Sequence, residues 1–370
     1  MSLNLSLLIV FILVVSIQII FYGSFFFAFA TKKKEKKKKK NIALSVIVCA
    51  KNEAKNLKEN LPSLLNQNHP NFEVVLVNDG STDDSLEVMT SFKTSHPNVK
   101  VVDVKSIEAF WGNKKYALTL GIKAATNNFL VFTDADCKPN SQNWLSRLSS
   151  EFSNEKSIVL GYGGYAKKKS SLLNQLIRFE TVFTALQYFS YTLLGQPYMG
   201  VGRNLAYRKE LFFNNSGFSS HMSLMSGDDD LFINAIATST NTAVSLDPES
   251  FTISKPKTTF RSWFLQKRRH VSTATFYKTR HKLLLSVFYS SQLLFWLLIP
   301  VSLIFIENKQ LVVSLIALRF TVQLTAFWYA AKTFKELNLI VLAPLLELIL
   351  VIFQLVIFIA NLISKPGHWK

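Results

Sequence analysis

Phe132-Thr133-Asp134-Ala135-Asp136 sets two carboxylates two residues apart, directly after an apolar run. In an extended segment residues i and i+2 face the same way. Asp134 and Asp136 therefore offer hard oxygen ligands of the kind that Mg²⁺ or Mn²⁺ takes alongside substrate phosphates. The plain structural alternative is an Asp turn capping a helix that starts near Asn143. Val77-Asn78-Asp79-Gly80-Ser81-Thr82-Asp83 adds a further acidic site, which a helix cap also explains. The run Gly227-Asp228-Asp229-Asp230-Leu231 is different in kind. Three adjacent carboxylates raise at least one pKa by mutual repulsion, as a general base working near neutral pH needs. An acidic first turn favoured by the helix dipole accounts for one or two of these aspartates better than for three.

These residues must be held by a scaffold, and its elements can be read from hydrophobic periodicity. Ala43 to Cys49 is a short β-branched strand, followed by the loop Ala50-Lys51-Asn52-Glu53 and by Leu57, Leu61, Leu64 and Leu65 at helical spacing. Phe72 to Val77, Val99 to Val104 and Phe129 to Thr133 read as further strands, with helices over Ser85 to Phe92 and Lys114 to Ala125. Strands alternating with helices imply right-handed βαβ units and a parallel sheet. Ligands of such sheets bind beyond the carboxyl ends of the strands. Asn52, Glu53, Asp79, Asp134 and Asp136 all fall at such ends.

The chain has 370 residues, 49% of them hydrophobic, with 31 Phe and a formal charge of +18. That much apolar content excludes a disordered polyelectrolyte. Two cysteines, Cys49 and Cys137, exclude a disulfide scaffold and point to a reducing compartment. Leu3 to Ala30 is apolar for longer than a signal-peptide core and reads as a retained membrane span. The basic block Lys32 to Lys40, eight lysines and one glutamate, follows it and places the rest of the chain on the cytoplasmic side. Leu283 to Ile306, Leu311 to Ala331 and Leu339 to Ile363 each approach the ~20 residues needed to cross hydrocarbon, and their short connectors predict antiparallel neighbours.

Strict alternation then puts the carboxyl terminus outside, whereas Lys365, His368 and Lys370 favour the cytoplasm. A re-entrant or interfacial segment near Pro300 or Pro344 would reconcile the two. Arg319 and Glu347 fall inside two spans; they read as a charge pair joining helices or as part of a lipid pathway. The division expected is 1–31 a membrane helix, 32–40 a polybasic segment, 41–257 one α/β domain, 258–282 an interfacial amphipathic segment and 283–370 a membrane region of about three helices.

With these positions laid out, the sequence resembles the membrane-anchored inverting glycosyltransferases of family 2, over residues 43 to about 280. The motifs that carry the resemblance are Lys51-Asn52-Glu53, Asp79-Gly80-Ser81-Thr82-Asp83, Lys114 with Ala117-Leu118 and Gly121, Asp134-Ala135-Asp136, Gly227 to Leu231, and Gln266-Lys267-Arg268-Arg269. The resemblance implies a GT-A fold, Rossmann-like with a mainly parallel sheet, flanked by transmembrane helices. It implies a nucleotide-diphosphate sugar held by Ala50, Asn52, Glu53, Asp79, Lys114 and Asp134, with Mg²⁺ or Mn²⁺ on Asp136 and Asp134. Aligning Asp230-Leu231 with the family's Glu-Asp-x-Asp-Leu makes Asp228 the base. Gly227 stands where the family has Glu, so a shifted register would make it Asp229.

Gln266 and Arg269, at i and i+3 on one helical face, match the family's Gln-x-x-Arg-Trp signature of processive synthases. His270 stands where the Trp belongs, which argues against processivity. Gln266, Arg268 and Arg269, with Arg203 and Asn204 of Gly200 to Tyr207, are candidates for contacts to pyrophosphate or to a lipid-linked or glycan acceptor. Headgroup binding by a polybasic helix and a glycine bulge are the plain alternatives. The resemblance places the protein in the cell's inner membrane, in contact with its lipids.

Two alternatives remain at this level. One is a processive polysaccharide synthase. The other is a non-enzymatic polybasic adaptor, which the net charge favours superficially. Nucleic acid is not the expected partner, since the loops at the strand ends are acidic.

Overall fold

A computed structural model describes residues 3–32, 40–105 and 114–364. Most of the lysine block, the loop Ala109 to Asn113, and Lys365, His368 and Lys370 lie outside the described residues. In chain order the elements are α1 (Leu3–Thr31), β1 (Leu44–Ala50), α2 (Ala54–Leu65), β2 (Phe72–Asp79), α3 (Ser85–Ser95), β3 (Val99–Val104), α4 (Lys114–Ala124), β4 (Phe129–Asp134), β5 (Cys137–Pro139) and α5 (Trp144–Glu151). There follow β6 (Ile158–Leu160), β7 (Gly163–Tyr165), α6 (Leu172–Leu193), β8 (Leu205–Arg208), α7 (Lys209–Asn214), α8 (Asp230–Ile236), β9 (Thr242–Val244), β10 (Thr252–Ser254), α9 (Phe260–Ser272), α10 (Thr279–Phe305), α11 (Lys309–Thr333) and α12 (Ala343–Ile363). The chain divides into two compact units, one α/β and one helical.

Of the described residues, the α/β unit takes 40–169 and 195–258. Its main sheet runs β3-β2-β1-β4-β8-β6-β9. β1 pairs in parallel with β2 on one side and β4 on the other. Such central strands are covered on both faces, which is why β1 and β2 read as unbroken apolar runs rather than alternating ones. From β1 the chain winds outward through β2 to β3, then crosses back to β4 on the other side of β1. The ends of β1 and β4 therefore flank the topological switch point, where an open sheet leaves a crevice. β8 is antiparallel to β4, with Leu205 opposite Phe132, so the residues just before β8 lie beside the end of β4. A smaller sheet, β5-β10-β7, follows directly on the Asp134–Asp136 segment.

Of the described residues, the helical unit takes 3–32, 170–194 and 259–364. It includes α6, which corrects the expectation of one uninterrupted α/β domain from 41 to 257. α6 is capped by the Ser171 hydroxyl, which accepts from Asn174 N–H, and nearly all its faces are buried. Phe179 packs tilted against Phe327, and Phe183 stacks on Phe288. Its charges find partners within the same unit: Arg178 bonds Glu336 in the turn after α11, and Lys267 of α9 reaches Glu180 at 2.6 Å. The amphipathic pattern of a soluble-domain helix is missing because every side has a neighbour.

Four helices of this unit, α1, α10, α11 and α12, are long and apolar enough to cross a membrane. Pro300 sits inside the unbroken α10 and Pro344 in the first turn of α12. α12 has few contacts with α11, the helix it was expected to lie antiparallel to. It meets α11 through the Arg319–Glu347 pair and otherwise packs on α9, α10 and α6. Glu347, in its second turn, lies at mid-length of the bundle, accepting from Tyr22, Gln292 and Arg319. Further on, Phe353 stacks on Trp263 of α9 with ring centroids 4.1 Å apart. At the carboxyl end, the Arg268 guanidinium donates to Asn361 Oδ1 and to the Ala360 and Ser364 carbonyls. α9 leads through a short turn into the start of α10. The carboxyl end of α12 thus returns to the end of the bundle where α10 begins.

Candidate active site

The loops after β1 and β2 clamp each other. Asn52, in a left-handed conformation at φ 56° that asparagine tolerates, donates its N–H to Ser81 Oγ and accepts from Thr82 N–H at 2.8 Å. Glu53 N–H donates to Ser85 Oγ, and Ala54 N–H to Asp83. These bonds explain the serine, threonine and aspartate spacing of both motifs. Glu53 itself accepts from Asn56 at 2.6 Å, and burial raises its pKa. Asp79 ends β2 buried, and burial raises its pKa while Lys51 and Lys114 oppose the shift. Ala50 closes β1 with its side chain buried and its backbone in register with Asn78; only its main chain can face a ligand.

Lys114 opens α4 and is the hub of the site. Its ammonium lies 2.9 Å from Asp134 Oδ1 and 3.0 Å from Asp228 Oδ2. Burial works against its charge, but Asp134, Asp228 and Asp229 together hold its pKa well above the usual lysine value. α4 can lie this close to the sheet because of Gly121. A Cβ there would sit 2.7 Å from a methyl of Val77 and 3.1 Å from one of Ile47.

Asp228 and Asp229 precede α8. Asp229 Oδ1 accepts the N–H of Asp230, capping the helix, and Oδ2 accepts the N–H of Gly202 at 2.6 Å. Burial and the charges of Asp228 and Asp230 push its pKa up to about 7. Asp228 is equally enclosed, yet Lys114 outweighs the burial and keeps its pKa below the usual carboxylate range. Gly227 supplies the turn into this pair at φ +103°, where a Cβ would strike Leu231 at 2.5 Å. Lys114, Asp134, Gly202, Asp228, Asp229 and Phe218 line one pocket.

Asp134, Asp136 and Cys137 bring their ligand atoms within 4.8 Å of one another. Burial raises the Cys137 thiol well above its usual pKa, and its sulfur bonds Ser254 Oγ at 2.9 Å. That leaves two carboxylates, the hard oxygen donors that suit Mg²⁺ or Mn²⁺. Asp136 is itself raised by burial and by the like charge of Asp134. Arg203 lies beside them: its guanidinium stacks 4.3 Å from the Tyr165 ring centre, and its charge favours the ionised form of Asp136.

Asn204 does not join them. It is fully buried, donating to the Tyr162 and Ser250 carbonyls and accepting from the Trp144 indole. This corrects the expectation that it contacts an acceptor; it braces the core. Gln266, Arg268 and Arg269 belong to the helical unit, on α9. The Arg268 guanidinium bonds the end of α12 through Nε and Nη2. Sequence reasoning missed Gly202, whose part is played by a backbone N–H that no residue type announces. It also missed Lys115, where the signal was two consecutive lysines opening a helix.

The profile of glycosyl transferase family 2 matches residues 45–228. The chain belongs to that family. It is 33% identical over 106 residues to glycosyltransferase AglE of Haloferax volcanii, covering 28% of this chain and 33% of that protein. Over 93 residues it is 32% identical to the poly-β-1,6-N-acetyl-D-glucosamine synthase of Staphylococcus epidermidis, covering 25% and 21%. The chain therefore aligns with a third or less of the length of these relatives. Mannosyltransferase PcManGT from Pyrobaculum calidifontis, solved with GDP-Man and Mn²⁺, superposes at a TM-score of 0.58 and 17% identity, covering 93% of this chain and 97% of that one. The family 2 chain thus has the GT-A fold, with the acidic residues at its switch point.

Proposed function

We propose that this chain transfers a sugar, with inversion, from a nucleotide-diphosphate donor to a lipid-linked or glycan acceptor at the inner membrane, its α/β unit in the cytoplasm. The observation that carries the reading is the double contact of Lys114. One buried ammonium joins Asp134, on the donor side of the crevice, to Asp228 of the acidic run. The first loop, Glu53 and Asp79 hold the base and ribose, and Lys114 the phosphates. Asp134 and Asp136 hold Mg²⁺ or Mn²⁺, which when bound offsets the negative charge developing on the departing nucleoside diphosphate.

Asp228 takes the proton of the attacking hydroxyl. It and Asp229 titrate as a coupled pair: ionisation of Asp229 makes its neighbour a stronger base, and the Gly202 N–H holds Asp229 in place. Arg203 faces the acceptor side. The mannosyltransferase of Pyrobaculum calidifontis was solved with GDP-Man, and that donor belongs in the first screen.

The test is transfer or slow donor hydrolysis by the full chain in detergent, across a panel of sugar nucleotides with Mn²⁺ or Mg²⁺. Turnover that chelator removes and that Asp136→Asn lowers at least about 100-fold supports the reading. No turnover with any donor, or an Asp136→Asn variant as active as wild type, rejects it. Single-turnover product size then separates one added sugar from a polymer.

A further inference from the structure

We infer that Lys115 is the positioning residue of the catalytic base, holding the segment 221–226 that delivers Asp228 and Asp229 to the site. The inference rests on the reading of Asp228–Asp229 given above. Lys115 follows the hub lysine on α4 but points elsewhere. Its side chain is 1% exposed, and its ammonium donates to three main-chain carbonyls, His221 at 3.0 Å, Leu224 at 2.6 Å and Ser226 at 2.7 Å. An ammonium has three N–H groups to place, and all three go to one short stretch of backbone.

A buried ammonium is costly unless fully hydrogen-bonded, so an apolar side chain would serve better if the position only filled space. What a lysine adds here is a fixed point for a stretch without a long helix or strand of its own: within 219–229 there is one turn of 3-10 helix, and the segment then passes through Gly227 to the aspartates. Consecutive residues of one helix thus hold both halves of the site. Lys114 grips the carboxylates, and Lys115 grips the backbone that carries two of them. Electrostatics agree: burial lowers the Lys115 pKa to about 8 while Asp228, Asp230 and Asp229 favour its charge, and that charge in turn helps to lower the pKa of Asp228.

The test compares full-length wild type, Lys115→Met and Lys115→Arg in detergent. It uses hydrogen exchange by segment, the thermal shift given by UDP or GDP with Mn²⁺, and turnover against pH on whichever donor wild type uses. Lys115→Met should speed exchange across 221–227 at least tenfold while β1 stays protected. Nucleotide affinity should stay within about threefold, turnover should fall about 100-fold, the scale of a small misplacement of a reacting group, and the acid limb of the pH profile should move to higher pH. Lys115→Arg, which keeps the charge, should hold the limb in place and recover part of the rate.

Wild-type exchange across 221–227 in Lys115→Met, or loss of β1 protection and nucleotide binding together with it, overturns the inference; in the second case Lys115 serves the fold as a whole. Should wild type use no donor, the functional reading fails, and the exchange comparison still decides what Lys115 holds.

Discussion

Two neighbouring aspartates of one loop carry opposite pKa shifts, and the difference is one contact. Asp228 has the Lys114 ammonium at 3.0 Å; Asp229 has backbone N–H groups and two like charges. Turnover should therefore rise with pH through about 7 as the pair loses its second proton. Asp228→Asn should lower it about 100-fold or more, and Asp229→Asn should shift the limb to lower pH, which initial rates from pH 5 to 9 will read. Stability should move the other way. An unfolded Asp releases its proton near about 3.9, whereas native Asp229 keeps it to about 7. The folded state binds the extra proton between those values, so this group's contribution to stability falls as pH rises across that window. Melting curves from pH 4 to 8 should be flatter for Asp229→Asn than for wild type.

At the level of elements, α4 sets the distance between the sheet and the acidic run. Gly121 permits the close approach, with Val77 and Ile47 where a side chain would begin. Gly121→Val should cost about 2 kcal/mol by overpacking and lower turnover further by displacing Lys114; chemical denaturation alongside kinetics separates the two losses. The β1 and β2 loops were readable as separate motifs at strand ends, and the structure joins them, since Ser81, Ser85 and Asp83 of the second loop accept backbone N–H groups of the first. α6 was not readable, because its helical pattern carries polar residues whose partners, Glu336 and Lys267, lie far along the chain.

Across the whole molecule, the four long apolar helices meet in one buried polar knot. Arg319 donates to both oxygens of Glu347 and to Gln18 and Gln323, while Gln292 donates to Tyr22 and Glu347. Removing one partner leaves the other charge buried and unpaired. Arg319→Leu and Glu347→Leu should each lower the melting temperature in detergent, and the double variant should lose less than the two singles combined. The course of α12 makes a prediction about topology. A reporter fused after the last residue should label from the same side of the membrane as one placed between α9 and α10, and from the opposite side to one in the α10–α11 connector.

The order of motifs along the chain was enough to reveal the alternating strands, the apolar helices, the acidic strand ends and the family, because each depends on neighbours a few residues apart and on the two periodicities of backbone structure. Tertiary structure decided which candidates were already spoken for. Asn204 had the right chemistry, but its amide donors are consumed by carbonyls distant in sequence, and Nε and Nη2 of Arg268 are turned to the end of α12. It also decided where α12 ends and which of two adjacent lysines grips carboxylates rather than backbone. Those outcomes depend on what lies across a contact, and residue type at one position does not encode its partner.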